Sequence, residues 1–238
     1  MPRSSTPEPF VSVVIPARNE EALVAAALES VAAQTWPPSR VEAIVVVNGT
    51  EDRTLAVARD TSERLDGLTV RLVDDPTPGV SRAKNVGARL ARGELIVFLD
   101  ADSRMAPDLI ERIVAASDGG APAGSVAIVA DSRDLIDRGF FALIEWGKNI
   151  FGIRANMLYC SRPVFEEVGG FDERLHQAED LDLLQRIRGG GREVTHVDAS
   201  WIATSPRRLH EGPFRVGLVR VFVRWTLGQV GIWRDRPY

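Results

Sequence analysis

Two carboxylates separated by one small residue close an apolar run, Leu95-Ile96-Val97-Phe98-Leu99-Asp100-Ala101-Asp102. Like charges this close repel, so they call for a cation or for hydrogen-bond donors beside them. A hard divalent ion such as Mg²⁺ or Mn²⁺ takes oxygen ligands and bridges carboxylate to phosphate. Ala101 keeps the gap small enough for a nucleotide to lie close to the backbone. The simpler alternative is a solvated loop in which one aspartate caps a helix starting near Pro107.

A second acidic group falls at Gln177-Ala178-Glu179-Asp180-Leu181-Asp182-Leu183, after the turn Gly169-Gly170-Phe171-Asp172. Carboxylates in a first helical turn complement the helix dipole, which accounts for Asp182. Glu179 and Asp180 are better placed for chemistry: a carboxylate there can remove a proton from a hydroxyl as general base. Of the three histidines, His196 lies in a strand-like run and reads as structural, and His176 reads as a loop residue. His210 follows Arg207-Arg208-Leu209, where it becomes a candidate third metal ligand next to arginines suited to phosphate.

The elements that must carry these groups alternate strand and helix. Apolar runs predict strands over 11–15, 41–47, 69–73 and 95–99, with helices over 20–34, 51–65 and 81–91 between them. Asn19 reads as the N-cap of the first helix. Four such steps with short connections predict a parallel sheet with right-handed crossovers and helices on both faces. Ligands of such sheets sit beyond the carboxyl ends of the strands. Arg18-Asn19-Glu20, Asn48-Gly49-Thr50 and Asp100-Ala101-Asp102 all fall there. The second half reads as strands over 126–130, 156–160, 193–197 and 201–204. Its helices are predicted over 140–151, 166–171 (short, with a Gly-Gly break) and 179–188.

The 238 residues suit one large domain over 10–206, with a disordered stretch over 1–9 and a basic helical segment over 207–238. That last segment holds seven arginines against Glu211 and Asp235, on a chain of formal net charge -4. The overall charge gives no reason to expect nucleic-acid binding across the whole surface. The basic segment asks for an anionic partner, a phosphate group or the surface of a membrane. Packing on the domain or on a second subunit, as in a homodimer, is the alternative. Cys160 is the sole cysteine, and residues 1–10 lack the apolar region of a signal peptide. No run of about 18 uncharged apolar residues is present either. Together these predict a cytoplasmic protein, with peripheral contact at the inner face of the membrane if the basic segment binds there.

Taken together, the motifs resemble the family 2 glycosyltransferases of the GT-A fold, over roughly residues 10 to 210. The markers are Val-Ser-Val-Val-Ile-Pro-Ala-Arg-Asn-Glu (11–20), Gln34-Thr35-Trp36 and Val45-Val46-Val47-Asn48-Gly49-Thr50. They continue with Gly79-Val80-Ser81-Arg82-Ala83-Lys84-Asn85-Val86-Gly87, Asp100-Ala101-Asp102, Gly169-Gly170-Phe171-Asp172 and Glu179-Asp180-Leu181-Asp182-Leu183. The resemblance implies a GT-A architecture, Rossmann-like with a mostly parallel central sheet. It implies an inverting transfer from a UDP- or GDP-linked sugar to an acceptor hydroxyl, the acceptor being unspecified. Pro16, Arg18 and Glu20 would edge the nucleotide, and Lys84 and Asn85 would line the donor pocket. Asp102 would bind the metal, and Asp100 the ribose or sugar, with Ala101 between them. Glu179 would belong to the same site and Asp180 would be the base. Arg207 and Arg208 would close on the pyrophosphate. Asn48 departs from the family's usual aspartate, and its amide can both donate and accept, so uracil and guanine both stay open. Val221-Phe222-Val223-Arg224-Trp225 has the Arg-Trp of the processive members' motif without its Gln, which favours single addition over polymer synthesis.

Two other readings compete. A nucleotidyltransferase shares a similar core, but Pro16-Ala17-Arg18-Asn19-Glu20 lacks the glycine-rich loop expected there. A non-catalytic nucleotide-sugar-binding module is opposed by the intact Asp102 and Asp180.

Overall fold

In the computed structural model of the chain, residues 8–151, 158–175 and 177–210 are described, the side chains of 149–151 excepted. The first half is built as β1 (Val11–Ala17), α1 (Val24–Ala32), β2 (Val41–Asn48), α2 (Thr54–Ser62), β3 (Thr69–Asp75), α3 (Val80–Leu90) and β4 (Leu95–Phe98). β5 (Ser103–Met105), α4 (Leu109–Asp118), β6 (Ala123–Ala130) and α5 (Leu135–Phe151) follow. The described chain closes with β7 (Leu158–Ser161), α6 (Arg162–Glu167), α7 (Glu179–Gly189) and β8 (Val194–Thr204).

One eight-stranded sheet runs in the order β3-β2-β1-β4-β7-β6-β8-β5. The first four strands are mutually parallel, as their alternation with helices requires. β7 pairs antiparallel with β4 and β6, β8 runs parallel to β6, and β5 lies antiparallel on the β8 edge. Side chains alternate across the sheet, so β1 feeds two cores. Val11, Val13, Ile15 and Ala17 pack with α1, α2, α4 and α5; Val14 packs with α3, α6 and α7. Burial on both faces is why β1 and β2 read as unbroken apolar runs.

The polar exceptions in those strands position β4. Ser12 Oγ donates to Glu42 Oε1 at 2.7 Å, and the two accept the amides of Gly93 and Arg92 at 2.8 Å each. A Cβ on Gly93 would meet the Ser12 nitrogen at 2.6 Å, so only glycine lets the chain enter β4 there. The strand that delivers Asp100 is set by this buried knot.

Several boundaries differ from the sequence expectation. Asn19 is no N-cap: its φ is +54° and its Oδ1 accepts the amide of Glu51 at 2.9 Å, clasping the first loop to the second. Residues 20–23 form a turn, and α1 begins at Val24. Strand β5 is too short to show a period, and it separates the Asp100–Asp102 pair from α4. Neither aspartate caps that helix; Asp108 stands at its N-cap and accepts Ser200 Oγ at 2.8 Å. The two strands expected over 193–204 are one, β8, with a register slip opposite Val126/Ala127. α5 begins five residues before the expected start, and the short sixth helix ends at Glu167, before the glycines. Of the basic segment, Arg207–His210 form a single 3-10 turn. Residues 211–238, with Arg224-Trp225, and His176 lie outside the described residues, as do 1–7 of the expected N-terminal disorder.

Candidate active site

Loops after β1, β2 and β4, the first turns of α3 and α7, and the 3-10 turn at Arg207–His210 converge at the carboxyl ends of the parallel strands. Pro16 is buried within β1, facing Val46 of β2. Arg18 is exposed, and its Nε donates to the Gly49 carbonyl at 3.3 Å. Asn48 is buried at the end of β2 with Nδ2 donating to the Gly79 carbonyl at 3.3 Å, while the Gly49 amide donates to the Asp75 carbonyl at 2.8 Å. Three loops are thus tied around the site proposed for the base. Gly49 is required there: its φ is +57° and a Cβ would press on Pro78 at 3.0 Å.

Lys84 organises the interior. It is 2 % exposed, and its Nζ donates to Glu179 Oε1 at 2.9 Å and Asp180 Oδ1 at 2.8 Å. Burial works against its charge, but Asp180, Glu179 and Asp100 more than offset it and hold the ammonium well above its usual range. The two carboxylates respond oppositely. Burial, with Glu179 and Asp100 adding like charge, pushes Asp180 up to about 7, although Lys84 opposes the rise. Desolvation acts on the half-buried Glu179 too, but Lys84 holds its carboxyl below the usual range. One lysine shared by two acids keeps one of them readily ionised and leaves the other poised near neutrality. Ala178, just before them, is left-handed at φ +57°, a conformation costly for alanine. Asn19 is the other such residue among those described, and it immediately precedes Glu20.

Asp100 and Asp102 both titrate above the usual carboxylate range, chiefly through desolvation; Asp102 adds like charge at Asp100, and Glu20 does so at Asp102. Lys84 opposes the rise at Asp100, and Arg208 and Arg207 oppose it at Asp102. Asp102 Oδ1 accepts Ser103 Oγ at 3.2 Å, and Oδ2 faces Arg207 at 3.5 Å. Arg207 is also paired with Glu20 Oε1. Glu20 Oε2 is buried with no hydrogen-bond partner among the described residues. A surplus of carboxylate with an orphaned buried oxygen is a setting that accepts a hard cation or further donors.

Two of the expected residues are engaged by other parts of the protein. Asn85 is bound inward: its Oδ1 accepts the Phe171 amide at 2.9 Å, and its Nδ2 donates to the Phe171 carbonyl at 2.9 Å and Glu173 Oε1 at 3.0 Å. It fastens the Gly170–Phe171 turn that leads to α7. His210 is engaged by Asp137 of α5, with Nε2 at 2.9 and 3.1 Å from its two oxygens. No group of three His, Cys, Asp or Glu able to hold a metal occurs among the described residues.

One cluster went unread in the sequence. Lys148, buried near the end of α5, pairs with Glu145 at 2.6 Å. Glu145 lies 3.9 Å from His196 Nε2, whose Nδ1 shares a 2.9 Å hydrogen bond with Ser125 Oγ. Burial lowers the Lys148 ammonium, and Asp180 is among the carboxylates that resist the drop. A lysine three residues after a glutamate in the apolar second half of that helix was the available signal.

The pattern of the family described as Glycosyl transferase family 2 matches residues 12–171. Glycosyltransferase AglE of Haloferax volcanii is 29% identical over 95% of this chain and 77% of its own length. Validoxylamine A glucosyltransferase of Streptomyces hygroscopicus subsp. limoneus is 37% identical over 89% of this chain and 55% of its own. The chain therefore spans between about half and three quarters of the length of these curated relatives. Among solved structures, a mannosyltransferase from Pyrobaculum calidifontis in complex with GDP-Man and Mn²⁺ superposes with a TM-score of 0.72 at 23% identity, covering 95% of this chain and 65% of that one. That likeness establishes the fold, a GT-A architecture with a central, mostly parallel sheet.

Proposed function

The chain belongs to glycosyl transferase family 2, and on that premise we propose that it moves a sugar from a nucleoside diphosphate sugar to an acceptor hydroxyl with inversion. The observation that carries this reading is Asp180, half-buried beside the buried Lys84 and within electrostatic reach of Asp100. As the acceptor oxygen bonds to the anomeric carbon, the bond from that carbon to the diphosphate oxygen breaks, and the acceptor proton passes to Asp180. A carboxylate poised near 7 suits that transfer at neutral pH. The departing diphosphate gains negative charge, which Arg207 and Arg208 neutralise. Arg207, paired with Glu20 and near Asp102, would exchange those partners for the diphosphate.

At the donor end, Pro16, Arg18, Glu20 and Asn48 edge the nucleotide, with UDP- and GDP-sugars both accommodated by the Asn48 amide. Asp100 holds the ribose or sugar. A Mg²⁺ or Mn²⁺ ion fits the oxygen-only set around Asp102: such ions need one or two carboxylates and take their remaining ligands from phosphate and water. When bound, it would supply positive charge for the diphosphate. The Pyrobaculum calidifontis neighbour, with its GDP-Man and Mn²⁺, supports that choice. His210 joins only if it leaves Asp137.

The reading is tested by release of UDP or GDP from nucleotide sugars with Mn²⁺ present. Turnover that disappears in Asp180→Asn, with donor binding intact, supports it. Donor binding without turnover for any sugar or acceptor leaves a binding module.

A further inference from the structure

The 3-10 turn Arg207–His210 divides its four side chains between the site, the core and α5. Arg207 reaches Glu20 and Asp102, and Arg208 lends positive charge to Asp100, Asp102 and Glu179. Leu209 is 2 % exposed within the core. His210 donates from Nε2 to the two oxygens of Asp137, at 2.9 and 3.1 Å. A carboxylate in a first helical turn already complements the helix dipole. Asp137 does more than that. It is fully buried, accepts Ser132 Oγ at 2.7 Å, and takes a histidine from 73 residues further along the chain. Phe140, Phe141 and Ile144 seat the same helix on the core, so Asp137 is a fixed point.

The chain entering the turn is fixed as well. The Thr204 carbonyl accepts the Asp131 amide at 2.9 Å, and the Asp102 carbonyl accepts the Ser205 amide at 3.0 Å. Within the turn itself, the contacts of Arg207 and His210 differ in kind. Arg207 is held by the carboxylates around the donor site, which a bound diphosphate would replace. His210 is held by α5, and that contact is not given up to the ligand. Side chains three apart eclipse in a 3-10 turn, so holding His210 also sets the direction in which Arg207 leaves the backbone.

We propose that Asp137, acting through His210, is a positioning residue for the donor diphosphate: it holds the turn so that Arg207 and Arg208 meet the phosphates once Arg207 leaves Glu20. The inference rests on the proposed glycosyl transfer for the role of the two arginines. Arginines held in place before the ligand arrives lose less freedom on binding it, and affinity rises accordingly. His210 thereby has a role in donor binding that requires no metal ligation.

The test is calorimetric binding of nucleoside diphosphate and monophosphate to the full chain with Mn²⁺ present. UDP is compared with UMP and GDP with GMP, and the preferred base is followed. The preference for the diphosphate reads the arginines rather than the base pocket. Arg207→Ala should lower it by about tenfold. His210→Ala should lower it by about fivefold, with monophosphate affinity nearly unchanged; a contact that served folding alone would move both nucleotides or neither. The His210 side chain is 47 % exposed, so this variant spares the core. His210→Gln, whose amide can donate to Asp137, should keep the preference. Asp137→Asn, which replaces an acceptor oxygen by a donor, should lower it. In Arg207→Ala with Arg208→Ala, adding His210→Ala should cost nothing more. A preference unchanged in His210→Ala, a loss shared by His210→Gln, or a gain in Asp137→Asn (the last two expected of a metal ligand) would overturn the proposal and leave glycosyl transfer standing. A wild type without preference for the diphosphate, or one that Arg207→Ala leaves unchanged, would overturn the role of the arginines and the proposal with it.

Discussion

Lys84 and Asp180 meet at 2.8 Å across 96 residues of chain, and Glu179 shares the same ammonium at 2.9 Å. The contact joins the first half of the fold, through α3, to the first turn of α7. Its consequence is an acid poised near neutrality beside one held ionised.

Asp180→Asn should lower turnover by about 10²–10⁴-fold, the range that positioned acid–base groups contribute. Donor affinity should change little. Steady-state release of the nucleoside diphosphate, alongside calorimetric donor binding, checks both; turnover within a few-fold of wild type refutes the assignment.

The pH profile should carry the same signature. Asp180 must be ionised to accept a proton, so kcat/KM should rise with pH and level off above about 7. Lys84 stabilises the ionised form, so Lys84→Met should move that limb to higher pH. A limb that stays in place or moves down would contradict the pairing.

Lys84→Met should also cost stability in a pH-dependent way. Without the ammonium, the buried carboxylates hold their protons to higher pH than in the unfolded chain. The folded state then binds more protons, and stability falls as pH rises. Breaking a buried pair costs about 3–5 kcal/mol, and the drop in Tm should be larger at alkaline than at mildly acidic pH. Thermal scans across that range decide the sign.

Asp102→Ala should abolish the metal-dependent part of donor binding. For the wild type, donor with Mn²⁺ at a hundredfold over Kd should add about 2.7 kcal/mol of stability. The variant should show the same small Tm shift with Mn²⁺ as with chelator. A full Mn²⁺-dependent shift in Asp102→Ala would remove this residue from the metal site.

Asn85→Ala should act on structure before chemistry. It removes three hydrogen bonds, two of them to the Phe171 backbone, and leaves that amide and carbonyl buried. Each orphaned group costs about 1–3 kcal/mol. Chemical denaturation should show the loss, and a larger defect in donor binding than in stability would return Asn85 to the donor pocket.

The sequence by itself determined the four β–α steps, the position of Asp100-Ala101-Asp102 after the fourth strand, and Glu179–Asp180 in the first turn of a helix. These are local matters: apolar period and turn residues act within ten or so positions, and a strand buried on both faces shows as an unbroken run. Strand β5 was not legible because three residues carry no period, and β8 read as two strands because its register slip interrupts the pattern. Only the tertiary structure decided that Lys84 belongs to Asp180, that Asn85 turns inward to Phe171, and that His210 faces Asp137. It also decided that Lys148, Glu145, His196 and Ser125 form one buried chain. Such pairings depend on which strands become neighbours, and burial then sets their strength: the same carboxylate that is ordinary in water becomes poised near 7 when the sheet closes around it.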